Sequence, residues 1–264
     1  MIFMRSLAFI AGWLLVLVAG GYAQTTRPAS EPACLKIRVA TYNIESGRKA
    51  QLVLENIRAA NPDVVLLQEA HENNVRAFAD ALGMSRQFGP YSPKTTTGIG
   101  ILAVGNLKPV KLFSMPKERN FALAATLETA GQKILLVAAH FKSLPRPLVS
   151  GLFKTMGPHQ EQAKQIVDLV KKQNLPAVVG GDFNTLAFTP GYRILSTALK
   201  DSGAATGTSS QPSIIVNGTG YRIDHILVRG PWKIRASQVS PKPGSDHRLL
   251  WADLELPPLK ETRP

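Results

Sequence analysis

Two stretches, VVLLQE (64–69) and LPAVVGGDFN (175–184), stay apolar without alternation until each reaches an acid. A strand whose side chains are apolar in both directions has to be covered on both faces. Such a sheet needs one layer above it and another below. The chain has the material for this: 264 residues at 44% hydrophobic content support a large core and exclude global disorder.

The remaining segments supply candidate layers. LKIRVATYNI (35–44) reads as a strand ending at Asn43. Residues 48–60 carry apolar side chains at helical spacing, and NPD (61–63) stops them, because proline disfavours helix in the residue before it. Further helices are expected over 72–83, with Gly83 as C-cap, over 159–173 and over 191–199. GIGILAV, KPVKLFS, FALAATLET and KILLVAAHF are separated by turn-formers at Gly105-Asn106 and Ala130-Gly131, and are expected to be consecutive antiparallel strands. YRIDHILV, KIRASQVS and RLLWADLEL read as three closing strands. This order fits a two-layer sheet core flanked by helices rather than a doubly wound sheet.

The N-terminus has one Arg, an apolar stretch from Leu7 to Ala19, then small residues ending in GYA. That is the layout of a secretory signal peptide over 1–23, and it implies a secreted or periplasmic protein. An uncleaved N-terminal membrane anchor is the alternative. Residues 24–34 read as a linker, 35–257 as one domain and 258–264 as a tail. The lone Cys34 excludes an internal disulfide framework and a thiolate zinc site. Lys and Arg number 31 against 18 Asp and Glu, for a formal charge of +13; cleavage after Ala23 removes only Arg5 and leaves +12. The excess favours a polyanionic partner, although basic secreted proteins are common.

Polar residues recur where the apolar runs end: Asn43, Glu69, His140, Asp182 with Asn184, Asp224, and Asp246-His247. Each has an ordinary alternative, such as a turn, a helix cap or a structural histidine. A packed sheet brings strand ends on one rim together, so the set can converge. Carboxylates and carboxamides without cysteine suit a hard divalent cation such as Mg²⁺, with Mn²⁺ as a substitute. A carboxylate beside a histidine fixes its tautomer and stabilises the imidazolium. Cation, His and Asp together are an arrangement for activating water against phosphorus. The glycines at 180–181 are expected to let the chain turn tightly where a phosphate approaches. Asp182 and Asn184, two apart on extended backbone, are expected to point the same way. His225 is expected to face away from Asp224 and to be structural.

TYNI, LLQE, AAHFKS, GGDFNT, YRIDHILV and SDHR occur in that order. With these blocks, residues 36–256 resemble the endonuclease/exonuclease/phosphatase superfamily, the group related to deoxyribonuclease I. The resemblance implies an α/β fold, a four-layer sandwich of two packed mixed β-sheets flanked by helices. It implies Glu69 as the principal Mg²⁺ ligand with Asn43 nearby and Asp246 assisting. Asp182 would orient or deprotonate the attacking water, and Asn184 would hold a phosphate oxygen. His247, oriented by Asp224, would serve as an acid/base or phosphate-stabilising residue, with His140 as the second histidine at the scissile phosphate and Arg119 contacting phosphate. Tyr91, in GPYSPKTTTG, is the only candidate for a tyrosine that this family often places at the phosphate; its neighbourhood is not diagnostic and it is left out of the site.

The expected substrate is a phosphodiester, foremost DNA or RNA, cleaved by a secreted monomeric nuclease. The alternative is a phospholipid or sphingolipid phosphodiesterase, or a phosphatase of a small phosphorylated metabolite. It rests on the segment 144–158, expected to be a loop, where Leu148, Val149, Leu152, Phe153 and Met156 sit among Arg146 and Lys154, either packed on the domain as an ordinary lid, the favoured reading, or as a surface for membrane contact. A catalytically dead scaffold is a third reading, and the complete set of acids and histidines argues against it.

Overall fold

The computed structural model describes residues 34–114, 119–143, 148–242 and 244–258. The expected signal peptide, the linker up to residue 33 and the tail from residue 259 lie outside the described residues. In chain order the first half comprises β1 (Leu35–Asn43), α1 (Ala50–Ala60), β2 (Val64–His71), α2 (Glu72–Leu82), β3 (Ser85–Pro90), β4 (Thr97–Ala103), β5 (Asn106–Ser114), β6 (Asn120–Thr129) and β7 (Gln132–His140). The second half comprises α3 (Leu148–Gln173), β8 (Ala177–Asp182), α4 (Pro190–Ser196), β9 (Lys200–Asp201), α5 (Ser202–Thr206), β10 (Ile214–Val216), β11 (Thr219–Tyr221), β12 (Asp224–Arg229), β13 (Lys233–Val239) and β14 (Leu250–Leu256).

The strands build two six-stranded sheets, ordered β13-β14-β1-β2-β4-β3 and β5-β6-β7-β8-β12-β9, with β10 and β11 as a separate hairpin. Both sheets are mixed: β1 runs parallel to β2 and β7 parallel to β8, while their other pairings are antiparallel. The unbroken apolar runs now have their explanation. Leu66 and Val178 point into the core between the sheets, with Ile37, Ile101, Leu136 and Ile226. Their neighbours Val65 and Val179 point outward, Val65 beneath Val53, Ile57 and Phe78 of α1 and α2, Val179 beneath Ile166 and Val170 of α3. The result is a four-layer α/β sandwich, helix–sheet–sheet–helix. Each fully buried Leu, Ile, Val or Phe contributes roughly 1.5–3 kcal/mol to holding the layers together.

Three local expectations are corrected. The four central runs are not one meander. β4 pairs with β2 and β3, whereas β5 pairs with β6, so at Gly105-Asn106 the chain crosses from one sheet to the other. Helix α3 begins at Leu148 rather than 159 and runs through Pro158. Most of the expected 144–158 loop is therefore helix, and the side chains of residues 144–153 lie outside the described residues. Beyond Pro158, His159 Nε2 meets the Lys142 carbonyl at 2.7 Å and Gln162 Oε1 accepts from Lys142 N at 3.2 Å, which fastens α3 to the end of β7.

Gly180 and Gly181 make no turn; both lie inside β8, and pairing continues through Asp182. A Cβ on Gly181 would stand 1.9 Å from the Ala139 carbonyl oxygen, and one on Gly180 would stand 2.8 Å from Leu66 Cδ1. The glycines let strands and sheets approach each other, not a ligand. Gly181→Ala is therefore expected to lower stability by about 3 kcal/mol or more, because a backbone atom cannot move aside cheaply. Urea unfolding of the variant beside wild type checks this.

Candidate active site

Three acids and imidazoles stand on one rung of the second sheet. His140 at the end of β7 is opposite Asp182 on β8, and Asp182 is opposite Asp224 on β12. They share the inward face with Ala138, Val178 and Ile226. His225, one residue on, faces the other way and pairs with Asp201 at 2.8 Å. From the first sheet, Asn43 ends β1, and its amide nitrogen donates to Asp182 Oδ2 at 3.1 Å and to Glu69 Oε1 at 3.2 Å.

Glu69 is aimed by backbone irregularity. The β2–β4 register shifts between Leu67 and Ala70, and Glu69 has φ 51, a left-handed conformation that costs a non-glycine residue of order 1 kcal/mol or more. The bulge leaves its side chain 34% exposed, facing His140 Nε2 at 3.8 Å. Strand β2 continues past Glu69 to His71 instead of ending there.

His247 precedes β14 and reaches back to the rung. Its Nδ1 lies 2.8 Å from Asp224 Oδ2 and its Nε2 lies 3.6 Å from Asp182 Oδ2. Burial works against the imidazolium, but Asp224 and Asp182 outweigh it and raise the pKa to about 10. Burial pushes Asp182 up to about 7, with His247 opposing and Asp224 adding to the rise. His140 moves the other way. Burial, Arg119 and His247 hold it well below the usual histidine value, so it is neutral at pH 7.

The structure adds Tyr91 to this cluster. It is buried, its hydroxyl accepts from Glu69 N at 2.9 Å, and it meets His140 Nδ1 at 2.5 Å. Burial raises the Tyr91 pKa, so the phenol keeps its proton. The phenol donates that hydrogen to His140 Nδ1, which places the ring's single hydrogen on Nε2. His140 Nε2 is buried with no hydrogen-bond partner and stands 3.5 Å from Asp182 Oδ2. Arg119 stacks on the Tyr91 ring at 4.5 Å and donates to Phe141 O and Ser143 Oγ, both at 3.4 Å. Tyr91→Phe is expected to cost about 1–3 kcal/mol of stability, since it strands Glu69 N and His140 Nδ1. Turnover is expected to fall about tenfold or more, measured on the same preparation.

Two predicted residues stand differently from expectation. Asn184 lies beyond the end of β8 at φ 46, so strand alternation does not apply to it. Its backbone N donates to Asp182 Oδ1 at 2.9 Å and its Nδ2 to the Phe141 carbonyl at 3.3 Å. Asp246 is exposed, and its Oδ1 accepts from Ser245 Oγ and from His247 N.

The Endonuclease/Exonuclease/phosphatase family matches residues 40–247, a span that holds every one of these side chains. The chain belongs to this family. It is accordingly a metal-dependent phosphoric ester hydrolase of the endonuclease/exonuclease/phosphatase type. Comparison with curated protein sequences gives no match. Solved structures share the fold at low identity. A conserved protein of unknown function from Enterococcus faecalis V583 is 15% identical, with TM-score 0.68 over 82% of this chain and 98% of its own. A truncated TDP2 from Caenorhabditis elegans is 18% identical, with TM-score 0.66 over 83% and 98%. The human nocturnin catalytic domain with bound sulfate is 19% identical, with TM-score 0.65 over 85% and 96%.

The donor set fits the divalent cation that the family implies. Among the described residues, Asp182, Asp224 and His247 offer ligand atoms within 4.8 Å of one another. Asp224 Oδ1 is buried with no hydrogen-bond partner among the described residues, whereas His140 Nε2 carries a hydrogen and offers a cation no lone pair. This trio differs from the expected set of Asn43, Glu69 and Asp246. In the trio, His247 Nδ1 is occupied by Asp224 and the metal-free ring carries its own positive charge. Asn43 faces Glu69 with its amide nitrogen, while its Oδ1 accepts from Glu45 N.

Proposed function

We propose that the chain is a secreted nuclease that hydrolyses phosphodiester bonds of DNA or RNA with Mg²⁺, or with Mn²⁺ in its place. The observation that carries this reading is the buried rung of His140, Asp182 and Asp224, with His247 reaching Asp182 from before β14 and Glu69 at its open side. Asp182 takes a proton from the attacking water. The His247 imidazolium, held by Asp224, gives its Nε2 proton to the leaving oxygen. The Nε2–H of His140 donates to a phosphoryl oxygen, and Arg119 and Asn184 hold the remaining phosphate oxygens. Glu69 would hold the cation, with Asp246 supplying negative charge at the rim. A bound cation supplies charge neutralisation at the phosphate.

The choice of nucleic acid over other esters rests on the formal charge of +12 after removal of residues 1–23 (30 Lys and Arg against 18 Asp and Glu), which favours a repeating polyanion. Secretion rests on the N-terminal sequence alone. No helix among the described residues is long and apolar enough to cross a membrane. The test is one panel: purified protein with Mg²⁺, then with EDTA, on plasmid DNA, total RNA, sphingomyelin or phosphatidylinositol liposomes, and bis(p-nitrophenyl) phosphate. EDTA-sensitive nicking of DNA or RNA that weakens steeply with salt is the expected result. Hydrolysis confined to the lipids or the small diester overturns the nuclease reading and leaves the hydrolase intact.

A further inference from the structure

A cavity lies beside the rung, on the outer side of the second sheet where His225 faces. It measures about 300 Å³, within the range of small-ligand sites. Its walls are the segments that run directly out of the site: Leu186–Phe188 follow Asn184, and Gly220–Arg222 precede Asp224. Ser213 Oγ ties this wall to the rung by accepting from Asp224 N at 3.1 Å.

The lining is aromatic at the sides and polar below. Phe188, Tyr192 and Tyr221 face the cavity, and Phe188 is 63% exposed, a large apolar ring with no packing reason to stand in water. The floor is Arg222, Asp201 and His225, all buried. Arg222 Nη2 donates to Asp201 Oδ1 at 3.3 Å, and Asp201 Oδ2 takes both His225 at 2.8 Å and Tyr192 OH at 2.9 Å. Asp201 Oδ1 also accepts from Gly203 N and Ala204 N. The acid is saturated and compensated by Arg222, so the floor offers no free negative charge to a cation. A polar floor equally disfavours a hydrocarbon chain. Ser209 and Ser210 at the edge offer hydroxyls that both donate and accept.

We propose that this cavity is a base-binding subsite: it takes a neutral, planar heteroaromatic ring, a nucleobase, from a substrate whose phosphate lies at Asp182 and His247. The proposal rests on the nuclease reading above. The competing occupant is a quaternary ammonium headgroup, which aromatic side chains also attract. Arg222 and the saturated Asp201 count against it.

The test is equilibrium binding in EDTA, so that turnover does not intervene. Fluorescence anisotropy of the purified protein is followed with a labelled single-stranded oligodeoxynucleotide and with an abasic oligomer of equal phosphate number, at one salt concentration. Wild type is expected to prefer the base-bearing strand roughly tenfold, the scale of one base stacked on an aromatic side chain. Phe188→Ala is expected to remove most of that preference and leave abasic binding unchanged, while Phe188→Trp retains it. Phe188 is exposed, so these variants keep the core. Thymidine monophosphate is expected to displace the strand and phosphocholine not. Equal affinity for the two oligomers, or unchanged preference in Phe188→Ala, or displacement by phosphocholine alone, overturns the subsite. Plasmid cleavage separates the two readings. Cleavage without base preference sinks only the subsite, whereas base preference without cleavage sinks only the nuclease.

Discussion

Asp182→Asn is expected to lower turnover by a factor of about 10³ or more on every phosphodiester the protein hydrolyses. The side chain keeps its size and loses the ability to take a proton from water. It stands on the central strand of the rung, with His140 Nε2 3.5 Å and His247 Nε2 3.6 Å from its Oδ2. No neighbour can replace it: His140 is held as a donor by Tyr91, and His247 is charged through Asp224. The variant also carries a signature independent of activity. Burial raises Asp182 to about 7, above the 3.8 of a free carboxyl. Between those values the folded state holds a proton that the unfolded state has released, so this group makes the metal-free protein less stable as pH rises from about 4 to about 7. Asn cannot titrate, and the variant loses that slope. Its absolute stability at pH 4.5 falls, because Asn184 N and Asn43 Nδ2 both require an acceptor and an amide supplies one oxygen. Urea unfolding in EDTA at pH 4.5 and 7.5, with turnover measured alongside, checks both outcomes. Activity within tenfold of wild type would remove Asp182 from the role of base.

The parts of this site that are legible in the sequence are those fixed by local pattern. α1 and α2 are readable to within two residues, because Asn61-Pro62 and Gly83 end them unambiguously. Asp182, Asp224 and His140 are readable because each sits at the edge of an apolar run, and register alone then brings them together. What escapes depends on contacts distant in sequence. Tyr91 lies in an irregular segment with no period, and its partner His140 is 49 residues away. Its only signal is that it is the sole tyrosine in the right stretch. The sheet crossing at Gly105 uses the same residues as a hairpin, and only pairing with β6 separates the two. Gly157-Pro158 resembles a helix break, yet α3 continues through it, held by His159 and Gln162 on Lys142. The left-handed turn at Asn184 and the bulge at Glu69 change where side chains point, and no alternation rule contains either.

Asp224→Asn tests the other half of the chemistry through a proton it does not itself transfer. Asp224 is almost fully buried, and its Oδ2 holds His247 Nδ1 at 2.8 Å. Burial disfavours the His247 imidazolium; Asp224 acts most strongly of the three acids, with Asp182 and Asp246, that reverse this and set the pKa at about 10. A histidine whose folded pKa exceeds 6.5 contributes stability that is complete below that value and is lost as pH rises through about 10. Replacing Asp224 removes most of that contribution, about 1–3 kcal/mol at pH 6 and little at pH 11, where wild type has already lost it. The same change brings His247 titration down, so the alkaline fall of kcat/KM moves to lower pH. Turnover drops by about 10²–10⁴ at pH 8, since the variant lacks the charged donor. His247→Gln removes the same proton outright. The double variant is then expected to be no worse than His247→Gln alone, because residues acting as one unit do not add. Independent, multiplicative losses in that cycle would mean that Asp224 serves the substrate or the cation directly, and the two unpartnered electron pairs on its Oδ1 would be the place to look.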